Sequence, residues 1–288
     1  MRNIGLVMEY VGTGYQGFQV QPAFGRGGES RKGLEGRGGR LIRTVQGEVE
    51  RAIHRLTGES VRIVGAGRTD AGVHALGQVA NFKTESRIPA DRFGAALNSV
   101  LPEDIRIIRS FEAPEDFNAR YDAEWKIYRY LIVPEAARVP AARRGGALLS
   151  KRALLTRNPL TDEAVQAMAE AGVALVGRHD FSAYAASGSS ARTSVRTIHR
   201  LEVNTDRWES LGLNLVVVEI EADGFLYKMA RTIVGALLEV GMGRMDSEGP
   251  GRLLELRDRK LGPATAPADG LYLMKVAYPE PIGGLASP

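Results

Sequence analysis

The sequence contains no cysteine, and this absence excludes several classes of protein. A chain without thiols forms no disulfide scaffold, holds no cysteine-ligated zinc or iron–sulfur cluster, and has no thiol nucleophile. It also lacks any run that approaches the roughly 20 apolar residues of a membrane-spanning helix. Its first residues lead into an alternating strand pattern without the apolar block of a signal peptide. We therefore expect a soluble, cytoplasmic protein.

Histidine is scarce, and its placement does not suggest a metal site. None of the four histidines has a partner at the spacing that brings two ligands to one helix face: His54, His74, His179 and His199. The histidines are therefore predicted to be structural, and no metal ion is expected.

The overall composition is that of a folded protein. The chain has 288 residues, of which 44% are hydrophobic and 25% are charged, and its 34 glycines follow no triplet period. These values exclude a disordered chain and a collagen-like repeat. The length allows one large domain or two of ordinary size.

The positive charge is small in total but concentrated in two segments. The net charge is +4. The first segment runs from Pro22 to Arg43, is rich in glycine, and contains Arg26, Arg31, Lys32, Arg37, Arg40 and Arg43. The second runs from Glu135 to Asn158 and contains Arg138, Arg143, Arg144, Lys151, Arg152 and Arg157. Such segments suit a polyanion, because each neutralised phosphate releases counterions. From charge alone, solvated arginine-rich loops are an equal alternative.

Hydrophobic periodicity predicts the same order of elements twice. The first set is a strand at Asn3 to Tyr10, a helix between an N-cap at Thr44 and a C-cap at Gly58, strands at Val61 to Ala66 and Gly77 to Phe82, a helix at Asp91 to Val100, and a strand at Ile105 to Phe111. The second set is a strand at Trp125 to Val133, a helix after Thr161, strands at Val195 to Val203 and Leu213 to Glu221, a helix at Phe225 to Val240, and a strand at Leu271 to Val276.

The repeated β-α-β-β-α-β order predicts an α+β fold made of two ferredoxin-like halves, 1–115 and 116–288, with a mixed, mainly antiparallel sheet. The Gly/Arg-rich segment at 22–43 would be an insertion in the first half, and 135–158 a basic loop in the second. A Rossmann fold is excluded because its strands and helices alternate in a parallel sheet.

A glycine-rich stretch from Gly65 to His74 directly follows a predicted strand and contains one carboxylate, Asp70. It matches neither a dinucleotide fingerprint nor a P-loop, and no second copy exists to form an aspartic-protease dyad. An aspartate next to glycine commonly caps its own turn. On physical grounds alone, that structural role is the more frequent one.

The complete motif from Gly67 to Val79, GRTDAGVHALGQV, resembles the signature of the TruA family of tRNA pseudouridine synthases. Further blocks resemble the family in the same order along the chain, between Ile4 and Pro279. They are Asp116–Tyr121, Lys126–Tyr130, Asp180–Ser182, Val195–Ile198, Phe225–Gly235 and Ala266–Leu273.

The resemblance implies a role for five residues. Asp70 matches the family's catalytic nucleophile, and Arg231 matches the arginine that pairs with it and would keep its carboxylate ionised in a dry pocket. Tyr128 matches the tyrosine that stacks on the target base, although a strand tyrosine is more often part of the core. Leu271 matches an apolar pocket residue. Arg68 matches an arginine next to the nucleophile, whereas the residue alone would suggest a surface turn.

The resemblance also implies a pseudouridine-synthase fold whose active-site cleft lies between the halves. The expected reaction isomerises uridine at positions 38, 39 and 40 in the anticodon stem-loop of tRNA, without a metal or organic cofactor. The expected assembly is a homodimer. Two departures from the family are Ala230, where valine is usual, and the length of the 22–43 and 135–158 segments. A non-catalytic RNA-binding protein and a phosphate-binding metabolic enzyme are the alternatives.

Overall fold

The computed structural model describes residues 1–20, 23–24, 30–31, 42–134, 146–156, 158–188, 191–209 and 213–286. The chain forms two compact units: one comprises Met1–Glu124 and Leu273–Pro288, and the other comprises Trp125–Tyr272. The units are interleaved along the chain, whereas the predicted halves, 1–115 and 116–288, are continuous. The division into those halves stays a prediction.

The secondary structure alternates between strands and short helices. Up to Glu124 the elements are β1 (Arg2–Tyr10), β2 (Ala23–Phe24), β3 (Ser30–Arg31), α1 (Val45–Thr57), β4 (Val64–Gly65), β5 (His74–Thr84), α2 (Phe93–Asn98) and β6 (Ile105–Ala113). From Trp125 onward they are β7 (Trp125–Val133), α3 (Gly146–Leu149), β8 (Leu154–Leu155), α4 (Asp162–Val173), β9 (Gly177–Asp180), β10 (Val195–Trp208), β11 (Leu213–Ala222), α5 (Met229–Gly241), α6 (Gly249–Leu256), β12 (Leu271–Ala277) and α7 (Ile282–Leu285).

The sheet of the first unit confirms the predicted strand arrangement. Strands follow the order β6-β1-β5, with β4 also paired to β5, and these pairings are antiparallel. In chain order this is the 4-1-3-2 arrangement of a split β-α-β fold. The part of β12 that belongs to this unit approaches β5 closely at Gly77. A Cβ at that position would be 2.4 Å from the Met274 carbonyl oxygen, so the close approach requires glycine.

The second unit has an antiparallel sheet in the order β7-β11-β10-β9. Its pairing places Tyr128 opposite Ile220 and Arg129 opposite Glu219. The buried face includes Tyr130, Val218 and Ile220. Both units thus combine helices with a mainly antiparallel sheet, and the predicted α+β class is confirmed.

Both predicted helix caps in the first unit are present. The Thr44 side chain accepts a hydrogen bond from the Gly47 amide at 3.2 Å, which satisfies a donor that the first turn of α1 leaves unpaired. Gly58 ends the helix in a left-handed conformation, with φ of 75°, that costs glycine little. Thr161 caps α4 in the same way as Thr44 caps α1.

Two predictions about the second unit were wrong in detail. The helix predicted at Phe225 begins only at Met229, because Lys228 adopts a left-handed backbone with φ of 62° that no α-helix can contain. The basic segment 135–158 is not a loop throughout: its part from 146 includes α3 and β8, and it buries Leu149 and Ala153 against Leu215. Residues 135–145 and most of the Gly/Arg-rich segment 22–43 lie outside the described residues.

Within the described ranges, no helix combines the length and the hydropathy that crossing a bilayer would require.

The cap at Thr44 gives a direct test of how α1 is held. Replacing Thr44 with valine keeps the shape but removes the acceptor for the Gly47 amide, and we expect the free energy of unfolding to fall by about 1 kcal/mol. Urea unfolding followed by circular dichroism measures the change. Thr44→Ser keeps the hydroxyl and is the matched control, so equal stability of the two variants would contradict the assigned cap.

Candidate active site

The motif that contains Asp70 forms a tight loop between β4 and β5 in the first unit. The Val73 amide donates to the Asp70 carbonyl at 3.1 Å and closes a turn of four residues. Gly72 is the third residue of this turn and has a φ of 84°, which is the position where a type II turn requires glycine. The turn therefore places Asp70 at the point where the chain changes direction.

A second glycine-rich segment, between β1 and α1, packs directly against this loop. The Phe18 amide donates to the Thr69 carbonyl at 3.0 Å. Gly17 has a φ of 93°, and a Cβ built on it would lie 2.6 Å from the same carbonyl oxygen. A Cβ on Gly12 would lie 1.9 Å from the Val73 carbonyl oxygen. Only glycine allows the two backbones to approach so closely.

Polar side chains on β1 and β5 hold the loop from its buried side. The Tyr10 hydroxyl and the Thr69 hydroxyl are 2.8 Å apart. The side-chain Nε2 of Gln78 donates a hydrogen bond to the Gly67 carbonyl at 3.0 Å. Burial raises the pKa of Tyr10 to about 12, against the hydrogen bonds from Thr69 and Gln78. The Tyr10 phenol is therefore neutral at physiological pH and can donate its proton.

Exposure alternates along the motif. Thr69 is buried, Arg68 is exposed, and Asp70 is partly exposed. The Thr69 side chain is therefore buried, whereas the charged residues on either side of it, Arg68 and Asp70, are in contact with solvent. The structure thus brings Arg68 and Asp70, both predicted as site residues, together in one loop of the first unit.

Arg231 lies in the first turn of α5 in the second unit, half-buried among residues that are fully buried. Its Nε donates to the Ala266 carbonyl at 2.8 Å, and the Ala266 amide donates to the Arg231 carbonyl at 3.1 Å. Its charge also acts on Tyr130, where it opposes the rise in pKa that burial causes. This arginine has specific partners in its own unit and does not simply extend to solvent from an apolar face.

Tyr128 and Leu271 are both buried in the second unit. The Tyr128 ring packs edge-on against Phe225, with centroids 4.8 Å apart and an interplanar angle of 77°. Its side chain retains 7% exposure, and Leu271 retains 6% at the start of β12. Leu271 follows Gly270, which cannot carry a Cβ because the Leu131 carbonyl oxygen and the Tyr130 ring would be 2.8 Å from it.

Three supports of the site were missed by the sequence reasoning. Thr69 and Gln78 both lie within the motif from Gly67 to Val79, and Thr69 directly precedes Asp70, so their place in the motif was a usable signal. The Ala266 carbonyl that binds Arg231 is a backbone group, and no residue pattern announces it. Among the described residues, no cluster of three or more histidine, aspartate or glutamate side chains could hold a metal ion.

Comparisons with known proteins agree with this arrangement of motifs. A family model described as tRNA pseudouridine synthase matches residues 28–122 and 171–279. The chain is 46% identical over 278 residues to tRNA pseudouridine synthase A of Acetivibrio thermocellus, covering 96% of this chain and 100% of that protein. It is 40% identical to the protein of the same name from Thermoanaerobacter sp., with the same coverage. For the Syntrophomonas wolfei protein of that name the identity is 42%, covering 97% of this chain and 99% of that protein.

The close approach at Gly17 predicts a large effect of one methyl group. Gly17→Ala adds a Cβ that overlaps the Thr69 carbonyl and also forces alanine to a positive φ, so we expect a loss of about 2–4 kcal/mol in unfolding free energy. Gly58→Ala is the matched control, because Gly58 has a φ of 75° but no atom within 4 Å of the added Cβ. Urea unfolding of both variants separates the two costs. Equal losses would show that the overlap at Gly17 is relieved without cost.

Proposed function

The chain belongs to the tRNA pseudouridine synthase family, and from this premise we propose that it isomerises uridine to pseudouridine in tRNA with Asp70 as the nucleophile. The observation that carries the assignment of Asp70 is the loop itself. The backbone of this loop is fixed by the glycine contacts and by the buried Thr69, and Asp70 itself is partly exposed. The loop thus offers a partly exposed aspartate on a backbone whose course is fixed.

The reaction conserves the elemental composition of the uridine, although one hydrogen exchanges with water. The bond between N1 of uracil and C1′ of ribose breaks with participation of the Asp70 carboxylate, the uracil rotates, and a bond forms between C5 and C1′. The hydrogen on C5 leaves to water, and N1 gains a proton. The carboxylate either adds to the base or first abstracts a sugar proton to give a glycal. Both routes require an ionised Asp70 and a uridine that has left the base stack.

Arg231 is proposed as the cation that keeps Asp70 ionised when the base excludes water. Desolvation alone would raise the pKa of an aspartate and favour its neutral form, whereas a neighbouring guanidinium favours the carboxylate. The hydrogen bonds between Arg231 and Ala266 support this role, because they fix the arginine on α5. A fixed cation loses less entropy when it pairs than a mobile side chain does.

The remaining site residues are proposed to bind the extruded nucleotide. Tyr128 would stack on the target base, and its packing against Phe225 supports a fixed ring orientation. Leu271 would form an apolar wall, and the exposed Arg68 would contact the RNA backbone. Stacking and phosphate contacts then offset the few kcal/mol that extrusion of a base costs.

The proposed targets are positions 38, 39 and 40 in the anticodon stem-loop, and the proposed assembly is a cytoplasmic homodimer. The resemblance of the motifs to the TruA family and the shared name of the relatives support this finer assignment. Size-exclusion chromatography with light scattering tests the dimer.

Loss of the Asp70 carboxylate is expected to abolish the reaction. Purified enzyme is incubated with a tRNA transcript carrying tritium at uridine C5, and tritium released to water is counted. Asp70→Asn keeps the shape of the side chain, so we expect no release above background while tRNA binding is retained. Asp91→Asn removes an exposed carboxylate of the same unit and should behave as wild type. Release by Asp70→Asn at the wild-type rate would contradict its role, and binding without release by wild type would indicate a non-catalytic RNA-binding protein.

The arginine is expected to matter for rate more than for folding. Arg231→Lys keeps the charge but removes the planar guanidinium and its Nε donor, and we expect tritium release to slow by about 10- to 100-fold. Arg244→Lys, on an exposed ion pair at the end of the same helix, is the control. Thermal unfolding of both variants shows whether the fold is kept. An unchanged rate for Arg231→Lys would exclude a specific role for the guanidinium.

A further inference from the structure

Three buried polar side chains, one in the Asp70 loop and two on the strands beneath it, have no role in the reaction described above. Tyr10 is 4% exposed, Thr69 is 6% exposed, and Gln78 is fully buried. They come from β1, from the loop and from β5, and all three belong to the first unit. Buried polar groups are costly unless they are hydrogen-bonded, so their presence in this place requires an explanation.

Their hydrogen bonds are directed at the loop. The Tyr10 hydroxyl is 2.8 Å from the Thr69 hydroxyl. The Gln78 Nε2 donates to the Gly67 carbonyl at 3.0 Å and has a longer contact of 3.5 Å with the Tyr10 hydroxyl. The strands that carry Tyr10 and Gln78 are antiparallel neighbours in the middle of the sheet, so both side chains start from a rigid base.

These bonds act on the residues closest to the nucleophile. Thr69 directly precedes Asp70, and Gly67 lies two positions before Thr69. The Thr69 backbone is held separately, because its carbonyl accepts from the Phe18 amide. With backbone and side chain both fixed, Thr69 has little freedom to rotate, and this restricts the direction in which the Asp70 side chain leaves the chain.

One of the three residues, Gln78, is not an efficient source of stability. The Gln78 Oε1 is buried and makes no hydrogen bond within the described part of the chain. A partly satisfied polar group of this kind is worse for stability than an apolar side chain of the same shape. Its retention under a catalytic loop fits a geometric role, because small errors in the position of a reacting group reduce rates strongly.

We propose that Tyr10, Thr69 and Gln78 are positioning residues, which fix the loop from below and thereby set the orientation of the Asp70 carboxylate toward the target uridine. The inference rests on the proposed function of Asp70. It assigns the three residues to the rate of the chemical step and not to the binding of tRNA.

The test compares two substitutions of Thr69 in the full-length protein. Thr69→Val keeps the shape and removes the hydroxyl, and Thr69→Ser keeps the hydroxyl. Tritium release from C5-labelled tRNA is measured in single turnover with enzyme in excess, and the Kd for tRNA is measured separately by filter binding. We expect Thr69→Val to slow the single-turnover rate by about 10- to 100-fold with an unchanged Kd, and Thr69→Ser to restore most of the rate.

A second pair of variants tests whether the hydroxyls of Tyr10 and Thr69 act together. Tyr10→Phe should slow the single-turnover rate to a similar extent as Thr69→Val, and the double variant should be no slower than the slower single one, because both remove the same hydrogen bond. Circular dichroism and thermal unfolding confirm that each variant is folded at the assay temperature.

Several results would overturn the inference. A wild-type rate for folded Thr69→Val, equal losses for Thr69→Ser and Thr69→Val, or a weaker Kd that accounts for the slower rate would each reject a positioning role. Additive effects of Tyr10→Phe and Thr69→Val would reject their joint action. Failure of the proposed function is recognised separately: wild-type protein would then release no tritium in the same assay, and the positioning role would fall with it.

Discussion

The central constraint in this structure is the close approach of two backbones where the segment after β1 passes under the Asp70 loop. At Gly17 and Gly12 the carbonyl oxygens of the loop occupy the space where a side chain would begin. This contact ties the loop to the end of β1, and hydrogen bonds from Phe18 to Thr69 and from Gly72 to Tyr15 complete the connection. The loop that carries Asp70 is consequently packed into the first unit and is not a free surface turn. A backbone positioned in this way loses little entropy when a substrate arrives.

Neutral groups make hydrogen bonds both to the loop that contains Asp70 and to the side chain of Arg231. The loop around Asp70 is supported by backbone amides, by Thr69 and by Tyr10, whose phenol is neutral at physiological pH. Arg231 lies on α5, a helix with mostly apolar, buried side chains, and its Nε donates to the Ala266 backbone carbonyl. Neutral donors and acceptors fix geometry without competing for the charge of the functional group. The two units are alike in this respect. Backbone hydrogen bonds hold the loop that carries Asp70 in the first unit and the helix α5 that carries Arg231 in the second.

Sequence reasoning predicted those features that depend on local chemistry. The caps at Thr44 and Gly58, the central strands and the α+β class follow from side-chain pattern and from glycine conformation, and the structure confirmed them. It failed where tertiary contacts decide. The left-handed Lys228 delays the start of α5, and no residue preference announces it, because lysine rarely adopts that conformation. The assignment of Asp70 as nucleophile came from family resemblance, since its chemistry alone favoured a simple turn cap. The hydrogen bond between Tyr10 and Thr69 connects residues 59 positions apart in the chain, so it became visible only in three dimensions.

The central claim is that this chain converts uridine in tRNA to its C-glycoside isomer. The most direct measurement is to react the wild-type protein with an unmodified tRNA transcript, digest the product to nucleosides and separate them by liquid chromatography coupled to mass spectrometry. We expect uridine to decrease while a nucleoside of identical mass and different retention, matching a pseudouridine standard, increases in equal amount. Unchanged uridine in a transcript that the protein demonstrably binds would contradict it.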